Sequence, residues 1–244
     1  MSKIRIYIEP LKVKPLVEVS DKDIFHKLAH VLRLTPNDEI YVFNGQGREY
    51  LYRVKEITKK AVLIEQEKET RNEKQLSKRV ILAFSLLRED KADFIFQKGT
   101  ELGVSRFVPF ICERSVIRKK NPKPERWQRI ALESVRQCEQ LWIPEITGVL
   151  DFKDVVKLPA AIKLYGSWDG LRPEELIKPS CEEVMMVVGP EGHYSDEEME
   201  MLKGNGFECI KLSNNILRAE TAAIVSAAMI RSILDASQIL HTRL

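Results

Sequence analysis

The sequence predicts an α/β protein: a domain with a mostly parallel sheet, preceded by a small β-barrel or β-rich module. Three observations carry this. Short alternating β-like runs fill the first 66 residues, strand and helix patterns alternate from residue 79 onward, and Val184–Val188 is a continuous apolar run. Such a run is typical of a strand buried on both faces of a parallel sheet.

Taken in order, the first module has strands at 4–8, 39–43, 49–57 and 61–64, with one helical piece over 23–32. Asn44-Gly45-Gln46-Gly47 reads as a hairpin turn, because Asn and Gly tolerate positive φ. Residues 67–78 carry seven charges and almost nothing to bury, so a linker is expected there. The implied domains are 1–70 and 75–244. In the second, strands are expected at 80–85, 107–111, 146–150, 160–165, 184–188 and 207–212. Helices are expected at 88–102 and 125–140, from Ser195, and at 218–236. Trp127, Ile130, Ala131, Ser134, Val135 and Cys138 follow i, i+3, i+4 spacing and form the buried stripe of the second helix.

Composition excludes several classes of function. The chain has 244 residues, 44% hydrophobic and 31% charged, with 11 Gly and 11 Pro, an ordinary globular make-up. Cys112, Cys138, Cys181 and Cys209 have neither zinc-knuckle nor Cys-x-x-Cys spacing, so free thiols in a reducing cytoplasm are expected. The amino terminus has no apolar run behind its charges, so no signal peptide is expected. The longest apolar stretch, Ala222–Ile230, is nine residues and too short to span a bilayer. His26 and His30 lie four apart without a convincing acidic or Cys partner, so no metal is expected. Net charge is only +3, but residues 106–129 hold eight basic residues against two acids. Loops of that kind bind phosphate backbones, though many are simply solvated.

Two loops could carry chemistry. Gly189-Pro190-Glu191-Gly192 follows the apolar strand and leads to Ser195 and Glu198, a capping box that marks a helix start. Ligands of α/β proteins sit at such strand ends. The glycines match neither the dinucleotide fingerprint nor the phosphate loop, and the same pattern also describes a tight turn. The second loop, Leu212-Ser213-Asn214-Asn215-Ile216-Leu217-Arg218, opens a helix that is apolar nearly all round. Arg218 and Glu220 at its mouth need partners or a function, and pairing with each other would be one solution. Glu133, Gln137 and Gln140 share another face of the second helix, a position that is often only solvated.

These residues together resemble the RsmE family of ribosomal RNA methyltransferases, of the SPOUT class. The match runs over nearly the whole chain. It is strongest at Gly189–Gly192 and Ile216–Ala222, and is supported by Gln97–Val104, Glu113-Arg114-Ser115, Arg126-Trp127, His30–Leu34 and Phe43-Asn44-Gly45. The resemblance implies a PUA-like RNA-binding barrel and a methyltransferase domain with a trefoil knot near its carboxy terminus. It also implies a homodimer that builds the active site, and methylation of N3 of one uridine in the 16S ribosomal RNA of the small subunit.

On that resemblance, S-adenosylmethionine is held by Leu164, Gly189, Pro190, Glu191, Gly192, Leu212, Ser213, Asn214, Ile216, Leu217 and Arg218. Arg218 is expected to stabilise the uridine anion, with Glu133, Gln137 and Glu191 orienting the base. Arg33, Arg114, Arg118, Lys119 and Lys120 are expected to meet RNA. Three departures stand out: His193 replaces a second glycine, and Asn215 and Gln140 stand where the family has arginine. A catalytically inactive ribosome-associated RNA binder and a ribose 2′-O-methyltransferase are the alternatives.

Overall fold

The computed structural model describes residues 3–117 and 124–241. The chain divides into two compact units, one made of residues 1–75 with 135–143, the other of 76–134 with 144–244.

The first unit is a five-stranded sheet of β1 (Arg5–Tyr7), β2 (Leu16–Val19), β3 (Glu39–Phe43), β4 (Arg48–Ile57) and β5 (Val62–Asn72), in the order β1-β3-β4-β5-β2. Only the β1–β3 pairing is parallel. Ile40, Val42, Tyr52, Val54, Val62 and Ile64 bury one face of it against Leu28. Leu28 lies in a π-helical turn, Lys27–Val31, which continues α1 (Lys22–His26). The Asn44–Gly47 turn forms as expected: Asn44 Oδ1 accepts from Gln46 N and Arg48 N at 2.8 and 3.1 Å, and Gly45 and Gly47 have φ of 71° and 90°. The 135–143 segment docks on this turn, with Ile143 N donating to Gly45 O and Gly47 N to Leu141 O. Trp142 Nε1 donates to Glu73 O at 3.1 Å.

The expected linker is half wrong. Residues 67–72 extend β5, because β4 offers charges of the opposite sign: Arg53 pairs with Glu67, Lys55 with Glu65 at 2.7 Å and Arg48 with Glu69 at 3.7 Å. Charges that have nothing to bury still form a strand when the neighbouring strand pairs them.

In the second unit all strands are parallel: β6 (Arg79–Ser85), β7 (Arg106–Ile111), β8 (Glu145–Ile146), β9 (Leu150–Asp151), β10 (Ile162–Leu171), β11 (Glu183–Val188) and β12 (Phe207–Ile210). Their order is β12-β10-β11-β6-β7-β8, with β9 also on β7. Val80, Leu82 and Phe84 of β6 and Val184, Met186 and Val188 of β11 face one core, with α2 (Glu89–Glu101) and α7 (Ala219–His241). Ile81, Ala83, Met185 and Val187 face the other, with Leu202 of α6 (Asp196–Gly204). Period-two alternation between two apolar layers is why these strands are apolar at every position. In α3 (Pro124–Gln137) the expected stripe is buried at Trp127, Ala131, Ser134 and Val135. Trp127 stacks on Phe96 of α2 at 4.9 Å between ring centroids.

Three local expectations needed correcting. The strand expected at 146–150 is two dipeptides, β8 and β9, separated by Thr147-Gly148-Val149. The one expected at 160–165 runs from 162 to 171, and β2 was not anticipated. The short helices α4 (Phe152–Val155) and α5 (Pro173–Leu176) were not foreseen either.

Candidate active site

β10 and β11 run side by side with Leu164 opposite Met186, and β12 lies on the other flank of β10 with Gly166 opposite Ile210. The chain therefore leaves β11 on one side of β10 and β12 on the other, the arrangement that opens a crevice at the carboxyl ends of parallel strands. The loops after β11 and β12 enclose a cavity of about 180 Å3 there. Met186 and Val188 line it from β11, Gly166 and Ser167 from β10, and Ala219 and Ala222 from the first turn of α7. Gly189, Pro190, Glu191, His193 and Tyr194 form one wall, and Leu212, Ser213, Asn215, Ile216 and Leu217 the other.

Two of these positions leave little room for a side chain, Gly189 least of all. A Cβ on Gly189 would stand 2.8 Å from the Tyr194 ring, and one on Gly166 would stand 3.1 Å from Leu212 Cδ1. The Pro190–His193 turn closes with His193 N on Pro190 O at 3.1 Å. His193 occupies the left-handed region, with φ of 59°. A side chain there costs free energy that glycine does not. His193→Gly is expected to raise stability by about 0.5–1 kcal/mol. A urea denaturation midpoint that falls would contradict it.

The predicted capping box forms: Ser195 N donates to Glu198 Oε2 at 3.0 Å, and Glu198 N to Ser195 Oγ at 3.4 Å. Glu198 Oε1 also accepts from Glu113 N at 2.8 Å. Tyr194 lies beside Phe152, ring centroids 5.3 Å apart, and its buried hydroxyl has no hydrogen-bond partner among the described residues.

Burial pushes the Tyr165 phenol up to about 12, with Cys209 and Glu208 adding to the effect, and raises that of Tyr194 as well. Both stay protonated in the fold while an unfolded chain ionises near 10. The unfolded state then binds fewer protons, so stability is full below pH 10 and falls as pH rises above it. Thermal midpoints over roughly pH 8–11 should show that decline, and Tyr194→Phe should flatten it. An identical slope in the variant would remove Tyr194 as a cause.

Charge gathers at the cavity mouth. Lys91 of α2 pairs with the Glu191 carboxylate and lies 3.5 Å from Glu220 Oε2. Lys91 holds the Glu191 carboxyl below the usual value, with Arg88 and Arg218 contributing. Glu220 thus has Lys91 as an ion partner, where the sequence had offered Arg218. Arg218 is exposed, and its carbonyl accepts the first α7 hydrogen bond, from Ala222 N at 2.8 Å.

The structure brings Gly189, Pro190, Glu191, Leu212, Ser213, Ile216 and Leu217 together around the cavity. Gly192, Asn214 and Arg218 lie in the same loops but do not line it, and Leu164 is fully buried in the core. Glu133 and Gln137 are exposed on α3 and do not line it either. Arg33 is exposed in the first unit with φ of 51°. Arg114, expected at RNA, donates from Nη1 to Gly192 O at 3.1 Å and Tyr194 O at 3.4 Å. Arg118, Lys119 and Lys120 lie outside the described residues. Sequence reasoning missed Gly166, Ser167, Met186, Val188, His193, Tyr194, Ala219 and Ala222 as lining residues. Met186 and Val188 could have been found from their i, i+2 spacing before the loop.

Residues 73–231 match the model of the RNA methyltransferase domain, and residues 19–67 that of the RNA methyltransferase PUA domain. The ribosomal RNA small subunit methyltransferase E of Mesomycoplasma hyopneumoniae is 30% identical over 203 residues, which is 81% of this chain and 87% of that protein. The chain belongs to the ribosomal RNA small subunit methyltransferase E family. Another member of the methyltransferase E family, from Rickettsia conorii, is 29% identical over 93% of this chain and 94% of its own length. The crystal structure of the methyltransferase E of Neisseria gonorrhoeae, bound to S-adenosyl methionine, superposes with a TM-score of 0.85 at 26% identity. It covers 95% of this chain and 98% of that one. The expected α/β methyltransferase fold behind a PUA-like domain is thus the family's fold.

Proposed function

We propose that this protein transfers the methyl group of S-adenosylmethionine to N3 of one uridine in the 16S RNA of the small ribosomal subunit. Residues 1–70, completed by the 135–143 segment, act as the RNA-reading module, and the remainder of 75–244 as the catalytic domain. The cavity between the loops after β11 and β12 carries this reading. Its residues fit the cofactor: bare backbone at Gly166 and Gly189, apolar walls from Met186, Val188 and Leu217, and polar groups at Ser213 and Asn215. Sites of this make-up enclose an apolar ligand body and read its polar edges with a few placed groups. The relatives' names specify ribosomal RNA of the small subunit, and the gonococcal structure is bound to the cofactor.

The cofactor, when bound, supplies a methyl group on a cationic sulfonium. The chain's own task is then to position the base and favour its deprotonated form. Uridine N3 is a weak acid, and a fixed cation beside the base carbonyl oxygens stabilises the anion. In this reading Arg218 takes that role; its chain neighbours Leu217 and Ala219 both line the cavity. Glu191, held ionised by Lys91, is an acceptor that orients the base rather than a proton donor. Holding both reactants in line supplies much of the acceleration. The reading includes a cytoplasmic homodimer that builds the active site, with Glu133 and Gln137 of α3 helping to orient the base. It also includes the knotted carboxy-terminal chain that the resemblance implies.

The test is methyl transfer from labelled S-adenosylmethionine to small subunits lacking the modification, followed by nucleoside analysis. N3-methyluridine is the expected product. Transfer to a ribose oxygen, or no transfer, overturns the proposal.

A further inference from the structure

The cavity loop cannot hold its shape by itself. Glu191, Gly192 and His193 are exposed, and His193 is kept in a left-handed conformation. Backbone of that kind persists where its surroundings over-determine it. Beside the Lys91–Glu191 pair and the Phe152–Tyr194 contact, those surroundings include one turn, Glu113-Arg114-Ser115, which follows β7. Ser115 is 3% exposed; its hydroxyl accepts from Cys112 N at 2.9 Å and meets Ser85 Oγ of β6 at 2.8 Å, fixing the turn to the sheet. The turn then grips the loop twice. Arg114 Nη1 donates to the carbonyls of Gly192 and Tyr194, on either side of His193. The Glu198 carboxylate, 7% exposed, takes Glu113 N on one oxygen and Ser195 N on the other. Hydrogen bonds in which one partner is ionised are stronger than neutral ones.

We infer that Arg114 and Glu198 are positioning residues for cofactor binding: they clamp the Gly189–Ser195 loop in its binding shape, and Arg114 serves the loop rather than RNA. The inference rests on the proposal that the cavity takes S-adenosylmethionine. Two side chains that bracket a strained residue reduce the ordering that a ligand must otherwise impose, so losing either one weakens binding without changing the reacting groups.

The test compares the full-length wild type with Arg114→Ala, Arg114→Lys and Glu198→Gln. Calorimetry with S-adenosylmethionine, RNA affinity at two salt concentrations, and steady-state transfer are measured for each. Arg114→Ala is expected to weaken cofactor binding about tenfold, the order expected for lost hydrogen bonds from a charged group. It should raise the KM for cofactor, and leave kcat at saturating cofactor and the RNA affinity with its salt slope unchanged. Arg114→Lys, which keeps a charged donor, should recover part of the loss. Glu198→Gln, which turns an amide N–H2 toward one of the two backbone donors, should weaken cofactor binding as well. Unchanged cofactor affinity in Arg114→Ala overturns the inference. So does a loss of RNA affinity with a shallower salt slope, the signature of a phosphate contact. Should Glu198→Gln fail to fold, Arg114→Ala and Arg114→Lys still decide the matter. Wild-type protein that binds no S-adenosylmethionine refutes the proposed function itself, a different outcome from wild-type binding that the variants share.

Discussion

Replacing Arg218 by alanine is expected to lower methyl transfer about 100- to 1000-fold while cofactor affinity stays within a few-fold, as for loss of one group that stabilises a developing oxyanion. The side chain is exposed at the head of α7 and does not line the cavity that its neighbours Leu217 and Ala219 line. Its loss therefore leaves the cofactor's surroundings in place. What disappears, in the proposed mechanism, is the cation assigned to the deprotonated base. Arg218→Lys keeps the charge but loses the planar fork, so an intermediate rate is expected. The pH-rate profile should also move to higher pH in Arg218→Ala, because the base must then ionise without help. Turnover equal to wild type at every pH would remove Arg218 from this role.

Arg5→Met is expected to cost about 3–5 kcal/mol of stability, because it strands a buried charge. Glu49 is fully buried, and Arg5 is 2% exposed with its Nε 2.8 Å from the carboxylate. Lys3, 3.6 Å away, is a weaker substitute. The same guanidinium donates to the carbonyls of Val135 and Arg136, orphaned acceptors at the end of α3, and to that of Gln140 just beyond it. One substitution therefore removes an ion pair and a helix cap. Removing both charges in Arg5→Met with Glu49→Leu should recover most of the loss, since an apolar pair carries no desolvation penalty. Urea unfolding followed by circular dichroism gives the comparison. A double variant no better than Arg5→Met would show that the capping bonds, and not the stranded carboxylate, carry the cost.

The fold was legible where one physical signal dominated. Val184–Val188 reads as a doubly buried strand because both layers of the domain demand apolar residues, and Ser195 with Glu198 marks a helix start through local chemistry alone. The charged run at 67–72 misled because its stabilising partners, Arg53 among them, lie on β4, where composition counting does not look. The site divides in the same way. Gly189–Glu191 and Leu212–Leu217 are contiguous motifs and could be read directly. Gly166 and Ser167 sit midway along β10 with nothing local to mark them, and reach the cavity only because β10 lies between β11 and β12. Leu164 was one turn of the pleat too early: it faces the core, two residues before Gly166. Arg114 shows what a sequence leaves out. Its type and its basic neighbourhood suggest phosphate, and nothing local tells that two backbone carbonyls, 78 and 80 residues on, accept from one of its nitrogens.

The grip of Arg5 on the end of α3 has a consequence for heredity as well as for stability. The amino-terminal unit is discontinuous: it needs residues 135–143, where Trp142 and Ile143 pack against Gly47 and Gly45. A recombination event that exchanged only the first 75 residues between relatives would deliver a module missing a piece encoded sixty codons downstream. The incoming arginine would have to find its acceptors in a foreign helix end. RNA-reading heads of this architecture are therefore expected to be inherited with their methyltransferase domain, and not shuffled as free cassettes. A chimera that swaps residues 1–75 should become stable only when 135–143 travel with them.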